Sequence, residues 1–166
     1  MNQLLVSERT PPVSEDAEIA VLGAMLLDND VINLVIQLID KNSFYKRAHK
    51  KLFQTIIDLY DQGHAVDLVI LKEELDKRSI LDEVGGVAYL MGLEESVPLA
   101  ANVEYYAKIV RDKGIKRSLI ETTAGIQKDA FDDTIDSDAL LDKSERSIFE
   151  ITQKKFLSNT QTCLLS

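Results

Sequence analysis

Two histidines, a run of aspartates and one dense group of cations are the residues of this 166-residue chain that could do chemistry. His49 and His64 stand far apart, and no carboxylates surround either at the spacing of a zinc site. His49 is therefore read as a residue of a helix surface or interface. Asp132, Asp133, Asp136 and Asp138 crowd one short segment. A calcium loop needs alternating oxygens, a glycine at its sixth position and a distal glutamate, and these are missing. The aspartates read as helix caps and solvated turn residues. Glu73-Glu74 and Glu94-Glu95 are adjacent on predicted helices. Their side chains diverge by about 100°, which suits a solvated face rather than an acid/base pair. Lys46, Arg47, Lys50 and Lys51 form the one basic cluster; it either steers an acidic partner or solvates a helix start. No G-x-x-x-x-G-K-S/T, G-x-G-x-x-G, G-x-S-x-G or H-E-x-x-H pattern occurs. The residues offer no catalytic, cofactor-binding or metal-binding set.

Composition narrows the class further. Lys and Arg number 19 and Asp and Glu 28, a formal net charge of −9. A phosphate backbone repels such a chain, so direct nucleic-acid binding is not expected. The single cysteine, Cys163, has no partner for an intramolecular disulfide, which fits a reducing, cytoplasmic compartment. Met1 to Thr10 lack a basic region followed by an apolar run, and nowhere are 18 consecutive residues apolar. Neither secretion nor a membrane partner is expected.

The elements that must position these side chains are helices throughout. Pro11-Pro12 closes a leader, and Ser14 stands as an N-cap before acidic residues that suit a helix start. Ala17, Ala20, Val21, Ala24 and Met25 then recur at three- and four-residue steps. Val31 to Ile39 predicts a second, short helix. Ala48, Leu52, Ile56 and Leu59 mark a third, which Gly63 ends. Asp67 caps a fourth running through Leu75. Gly85-Gly86 reads as a connector into a fifth helix over Ala88, Leu90, Met91 and Leu93, stopped before Pro98.

From Asn102 to about Phe131 the helical signal runs unbroken by proline, weakened at Gly114 and Gly125 by about 1 kcal/mol each. A last helix follows the acidic turn. The fold class is all-α: a compact multi-helix head, then a long antiparallel helical hairpin. Residues 1–13 are a flexible leader, 14–100 the head, 101–154 the hairpin, and 155–166 a tail or the start of a linker. Ile115, Leu119, Ile126, Leu141, Ile148 and Ile151 form the hairpin's apolar seam. It either folds back on the head or meets a second copy of the chain.

The wording of the chain adds a resemblance. Pro11-Pro12, Glu15, Ala17-Glu18 and Val21-Leu22-Gly23-Ala24-Met25-Leu26-Leu27 resemble the opening of DnaB-type bacterial replicative DNA helicases. Phe44-Tyr45 with Ala48-His49 and Phe53 resembles that family's aromatic pair before the third helix. Val66-Asp67, then Gly85-Gly86 with Tyr89-Leu90, are similar to its next loop and paired-glycine segment. Ala101-Asn102, Tyr105-Tyr106-Ala107 and Arg117-Leu119-Ile120 resemble its entry into the long helix. The motif residues are thus Phe44, His49, Asp67, Gly85, Gly86 and Tyr105.

The resemblance covers about Pro11 to Gln153 and implies the amino-terminal domain of such a helicase. It implies an all-α head and a hairpin through which subunits pair. Three pairs would form a collar above a ring of ATPase domains. The implied partners are a second copy of the chain, the carboxy-terminal domain of primase, full-length helicase and, as an open further case, a helicase loader. The implied place is the primosome, in DNA replication. ATP and Mg²⁺ belong to the family's motor domain. No phosphate loop occurs within these 166 residues, so this chain alone is not expected to hydrolyse ATP or unwind DNA. The alternative is a stand-alone truncated homologue that regulates full-length helicase rings.

Overall fold

The computed structural model describes residues 9–97 and 100–163, with side chains described only to residue 153 and not at Ala100. Among the described residues seven α-helices follow in order: α1 (Glu15–Leu27), α2 (Ile32–Leu38), α3 (Arg47–Asp61), α4 (Leu68–Lys77), α5 (Gly86–Glu95), α6 (Val103–Ala130) and α7 (Ser137–Cys163). The described residues contain no strand, and the fold class is all-α as the periodicity predicts.

Helix α1 is apolar on nearly every side. Ala17, Ala20, Val21, Leu22, Ala24, Met25 and Leu26 are all buried, so it is the central rod of the head, with α3, α5 and α6 packed against it. Small residues let neighbours close in. A Cβ at Gly23 would collide with the carbonyl oxygen of Leu93 and the side chain of Val97, so α5 lies directly against α1 there.

Local chemistry sets the turns. Asp40 accepts from the backbone N–H of Asn42 at 2.8 Å and of Ser43 at 3.2 Å, and the Ser43 hydroxyl returns the bond in a capping box. Gly63 adopts φ +84° and ends α3, and Asp67 caps α4 by accepting from the Ile70 N–H at 2.9 Å. Gly85 and Gly86 adopt φ +109° and +74°, the left-handed region that turns the chain into α5. The Asn29 side chain pairs with both the N–H and the C=O of Val66, at 2.6 and 2.8 Å, stapling the α1–α2 link to the loop before α4.

Two sequence expectations change. Ser14 occupies the N-cap position, but its side chain makes no capping hydrogen bond; the acidic first turn of Glu15, Asp16 and Glu18 stands in its place. Helix α7 extends to Cys163, so a helical backbone occupies most of the segment expected to be a tail from residue 155. Residues 1–8 of the leader, Pro98, and residues 164–166 lie outside the described residues.

Helix α6 serves both parts of the molecule. Val103, Ala107, Val110, Gly114 and Arg117, at alternating four- and three-residue steps, face the head and are buried there. A Cβ on Gly114 would lie 2.9 Å from the Ser43 Cα, so this glycine sets how closely the long helix approaches the head. At 1.5 Å per residue the 28 residues of α6 span about 42 Å, and its second half runs beyond the head with α7 antiparallel to it. At the tip, Asp132 accepts from the N–H and hydroxyl of Thr134, and Asp136 accepts from the N–H of Asp138 and Ala139. These are the capping roles the sequence predicts. No single helix among the described residues is long and apolar enough to cross a membrane.

Candidate functional site

Three polar or exposed features stand out on this scaffold: a buried acid–histidine–tyrosine chain, an arginine clamp, and the outer face of the hairpin.

His49 is fully buried, not on a helix surface as the sequence reading has it. The reason is phase. Leu52, Phe53 and Ile56 follow it at steps of three, four and seven and form the face of α3 packed into the core. Glu18 is buried on α1 by the same arithmetic, ahead of Val21, Leu22 and Met25. His49 Nδ1 pairs with Glu18 Oε2, and His49 Nε2 lies 2.6 Å from the Tyr89 hydroxyl of α5. The second carboxylate oxygen of Glu18 accepts from the backbone N–H of Tyr45 at 2.6 Å. With Glu18 ionised, Nδ1–H donates to it, which leaves Nε2 to accept from the phenol. Burial raises the Tyr89 phenol above its ordinary value, with Glu15 and Glu18 adding to the effect and Lys46 opposing it, so that proton stays in place. Phe44, itself buried, sets the edge of its ring to His49 and packs on Phe53 at 5.0 Å between centroids. The chain holds α1, α3 and α5 to one imidazole. Its polar atoms satisfy one another, and it offers no open position for a substrate.

Arg117 ties the hairpin to the head. Its guanidinium donates to the Pro12 carbonyl at 2.6 Å and the Ser43 carbonyl at 2.5 Å, and its charged end lies 5.5 Å from the centre of the Tyr45 ring. Burial pulls its basicity below the ordinary arginine value, while Glu18 and Glu121 pull the other way. The basic cluster divides. Lys46 pairs with Glu15, raising the ammonium's affinity for its proton, and Arg47 and Lys51 both pair with Glu83. Among the described residues Lys50 has no carboxylate partner.

The predicted seam separates into two sets. Ile115, Ile126 and Ile151 are half-buried, as are Thr122 of α6 and Leu140, Ser144 and Ser147 of α7, and Ile115 and Ile151 line a cavity with Ile36 and Leu38 of α2. Lys143 closes this inner line with Asp129 at 2.6 Å. Leu119, Leu141 and Ile148 instead face outward, 38%, 67% and 43% exposed. Phe149, Ile120 and Phe131 join them as exposed apolar residues that the periodicity alone does not single out. Of the motif residues, Phe44 and His49 lie in the core, Asp67 caps α4, Gly85 and Gly86 make the turn into α5, and Tyr105 is exposed beside the Tyr106 ring. No group of three metal-ligating side chains occurs among the described residues.

Comparison with known proteins places this geometry. Residues 10–112 match the family model described as DnaB-like helicase N terminal domain. Over 151 residues the chain is 44% identical to the replicative DNA helicase DnaB of Geobacillus stearothermophilus, covering 91% of this chain and 33% of that protein. It is 40% identical over 157 residues to the replicative DNA helicase DnaC of Bacillus subtilis (strain 168), covering 95% of the chain and 35% of the relative. The chain thus spans about a third of the length of these curated relatives. The crystal structure of the N-terminal domain of DnaB helicase from Mycobacterium tuberculosis superposes with a TM-score of 0.79 at 35% identity, covering 85% of this chain and 99% of that one. A DnaB-like replicative helicase, solved in a study of its interactions with primase, shares the fold at a TM-score of 0.70 and 22% identity over 92% of this chain and 35% of that one. The all-α head, the projecting hairpin and these matches together make the chain a member of the DnaB-like helicase N-terminal domain family.

Proposed function

We propose that this domain is the collar module of a ring-forming replicative DNA helicase. It joins subunits through the outer face of its hairpin and receives the carboxy-terminal domain of primase in the cytoplasmic primosome. The observation that carries the reading is the outward set of Leu119, Leu141, Ile148 and Phe149 on a two-helix projection. Apolar side chains exposed along a projection gain by being covered, and the cover proposed is a second copy of the chain.

The partnership with primase draws support from the relative described with its interactions with primase. The reading places no ATP- or Mg²⁺-dependent step on these 166 residues; unwinding is assigned to the remainder of a full-length helicase. The test has two arms. Sedimentation across a concentration series should show a dimer or a ring of dimers. Calorimetric titration with the carboxy-terminal domain of the cognate primase should saturate. A chain that stays monomeric at all concentrations and takes up no primase domain would overturn the proposal.

A further inference from the structure

Between the leader, the loop before α3 and the outer half of α6 lies a cavity of about 450 Å³. Its size falls within the range of small-molecule sites, about 300–1,000 Å³. Its walls are apolar where Phe44, Tyr45, Pro11 and Ile120 meet it. Among the described residues three cations line it, Arg9, Lys50 and Arg117, against one carboxylate, that of Glu121. Two of these facts constrain an occupant. Among the described residues Lys50 is the one member of the basic cluster without a carboxylate partner, and it is the one that lines the cavity. Arg117 adds positive potential, but each terminal nitrogen already donates one hydrogen bond, to Pro12 and to Ser43, and its charged end lies over the Tyr45 ring.

We propose that this cavity binds an amphipathic monocarboxylate, with its apolar body against Tyr45 and Ile120 and its carboxylate held by Lys50 and Arg9. A phosphate fits less well. Part of the Arg117 donor set is engaged by Pro12 and Ser43, and Glu121 repels a second negative charge. A half-exposed tyrosine and a half-exposed isoleucine suit an aryl or branched aliphatic body. The site shares Ile120 with the exposed apolar residues of the hairpin but includes neither Leu141 nor Ile148, and the inference does not rest on the collar reading.

The probe is N-acetyl-L-phenylalanine, titrated into the intact chain and followed by calorimetry and by amide chemical shifts. Saturable binding at about millimolar affinity is expected for a ligand of this size, with shifts centred on Tyr45, Lys50 and Ile120. Its carboxamide and phenyl phosphate should each bind about tenfold more weakly or not at all. Lys50→Gln should weaken binding about tenfold, whereas Lys51→Gln, with the same charge change at a residue paired to Glu83, should leave it unchanged. Equal binding of acid and carboxamide, equal loss in the two lysine variants, or shifts elsewhere on the chain would overturn the assignment. So would a hexapeptide ending in phenylalanine that binds more than tenfold tighter than the single residue, since the site would then read a chain rather than a small molecule.

Discussion

The Tyr89 hydroxyl lies 2.6 Å from Nε2 of His49, and the opposite nitrogen of the same ring is committed to Glu18. Three helices distant in sequence therefore share one imidazole, with the carboxylate also fixing the Tyr45 N–H at the head's edge. The two rings are nearly parallel, 16° apart at 6.1 Å between centroids. In a core built largely of Leu, Ile, Val and Ala, this buried chain adds direction to volume in specifying which helices meet.

Removing the ring and removing the phenol should differ in cost. His49→Ala leaves the Glu18 carboxylate buried with one backbone donor and a cavity where the ring stood, a loss of about 3–5 kcal/mol. Tyr89→Phe deletes one hydrogen bond at a half-buried position and should cost about 1 kcal/mol. Urea unfolding at constant m-value reads both as shifts in midpoint. If the two variants unfold together, the Glu18–His49 pair is not the stabilising half of the chain.

The two glycines of the long helix look alike in sequence and should respond in opposite ways. At Gly125 an added Cβ meets nothing within 4 Å, so Gly125→Ala should stabilise by about 0.5–1 kcal/mol through helix propensity. At Gly114 the new carbon would press on the Ser43 backbone at 2.9 and 3.1 Å, and backbone cannot rotate away. Gly114→Ala should destabilise by about 1–3 kcal/mol despite the same gain in propensity. A stabilised Gly114→Ala protein would mean that the hairpin can move off the head at little cost.

Periodicity read the helices well because each is amphipathic or wholly apolar, and Asp67, Gly63 and Gly85 made their turns visible by residue type alone. It missed the polar core. Glu18 and His49 stand in phase with buried faces, but a charge inside an apolar stripe reads as a break unless its partner is known, and that partner is a helix away. The seam failed differently. Ile115 and Ile151 share the helical period with Leu119 and Ile148, and the sequence does not say which side of a hairpin turns inward. Only the packing against α2 and α6 separates the inner set from the outer one.

The Asp58 carboxylate gives a pH-dependent test. Burial alone would raise its pKa, but donation from Arg78 and from Gln54, both at 2.8 Å, outweighs that and holds it below the ordinary aspartate value. A group with a depressed folded pKa contributes stability above its unfolded value, about 3.9, and loses it as pH falls through the folded value. Asp58→Asn should therefore lower the urea midpoint by a constant amount from pH 7 to 5. The gap should narrow below about pH 4 and close once the parent carboxylate is protonated. With the side chain a third exposed, added salt should shrink it as well. A gap that widened on acidification would show that burial, not Arg78, dominates this carboxylate.

The division of the hairpin into inner and outer sets makes a sharper claim than self-association alone. Leu141→Glu and Ile148→Glu place charge where the side chain is already in water within one chain, so the unfolding midpoint of the dilute protein should stay within about 0.5 kcal/mol of the parent. Their effect should fall on native mass, with sedimentation shifting to the monomer. Ile126→Glu puts a charge between α6 and α7 and should cost about 1–3 kcal/mol of stability. Outer variants that keep the parent's mass would remove Leu141 and Ile148 from any contact between copies. An Ile126→Glu protein that became monomeric without losing stability would move the contact to the inner line, which requires the two helices to part and pair with those of another chain.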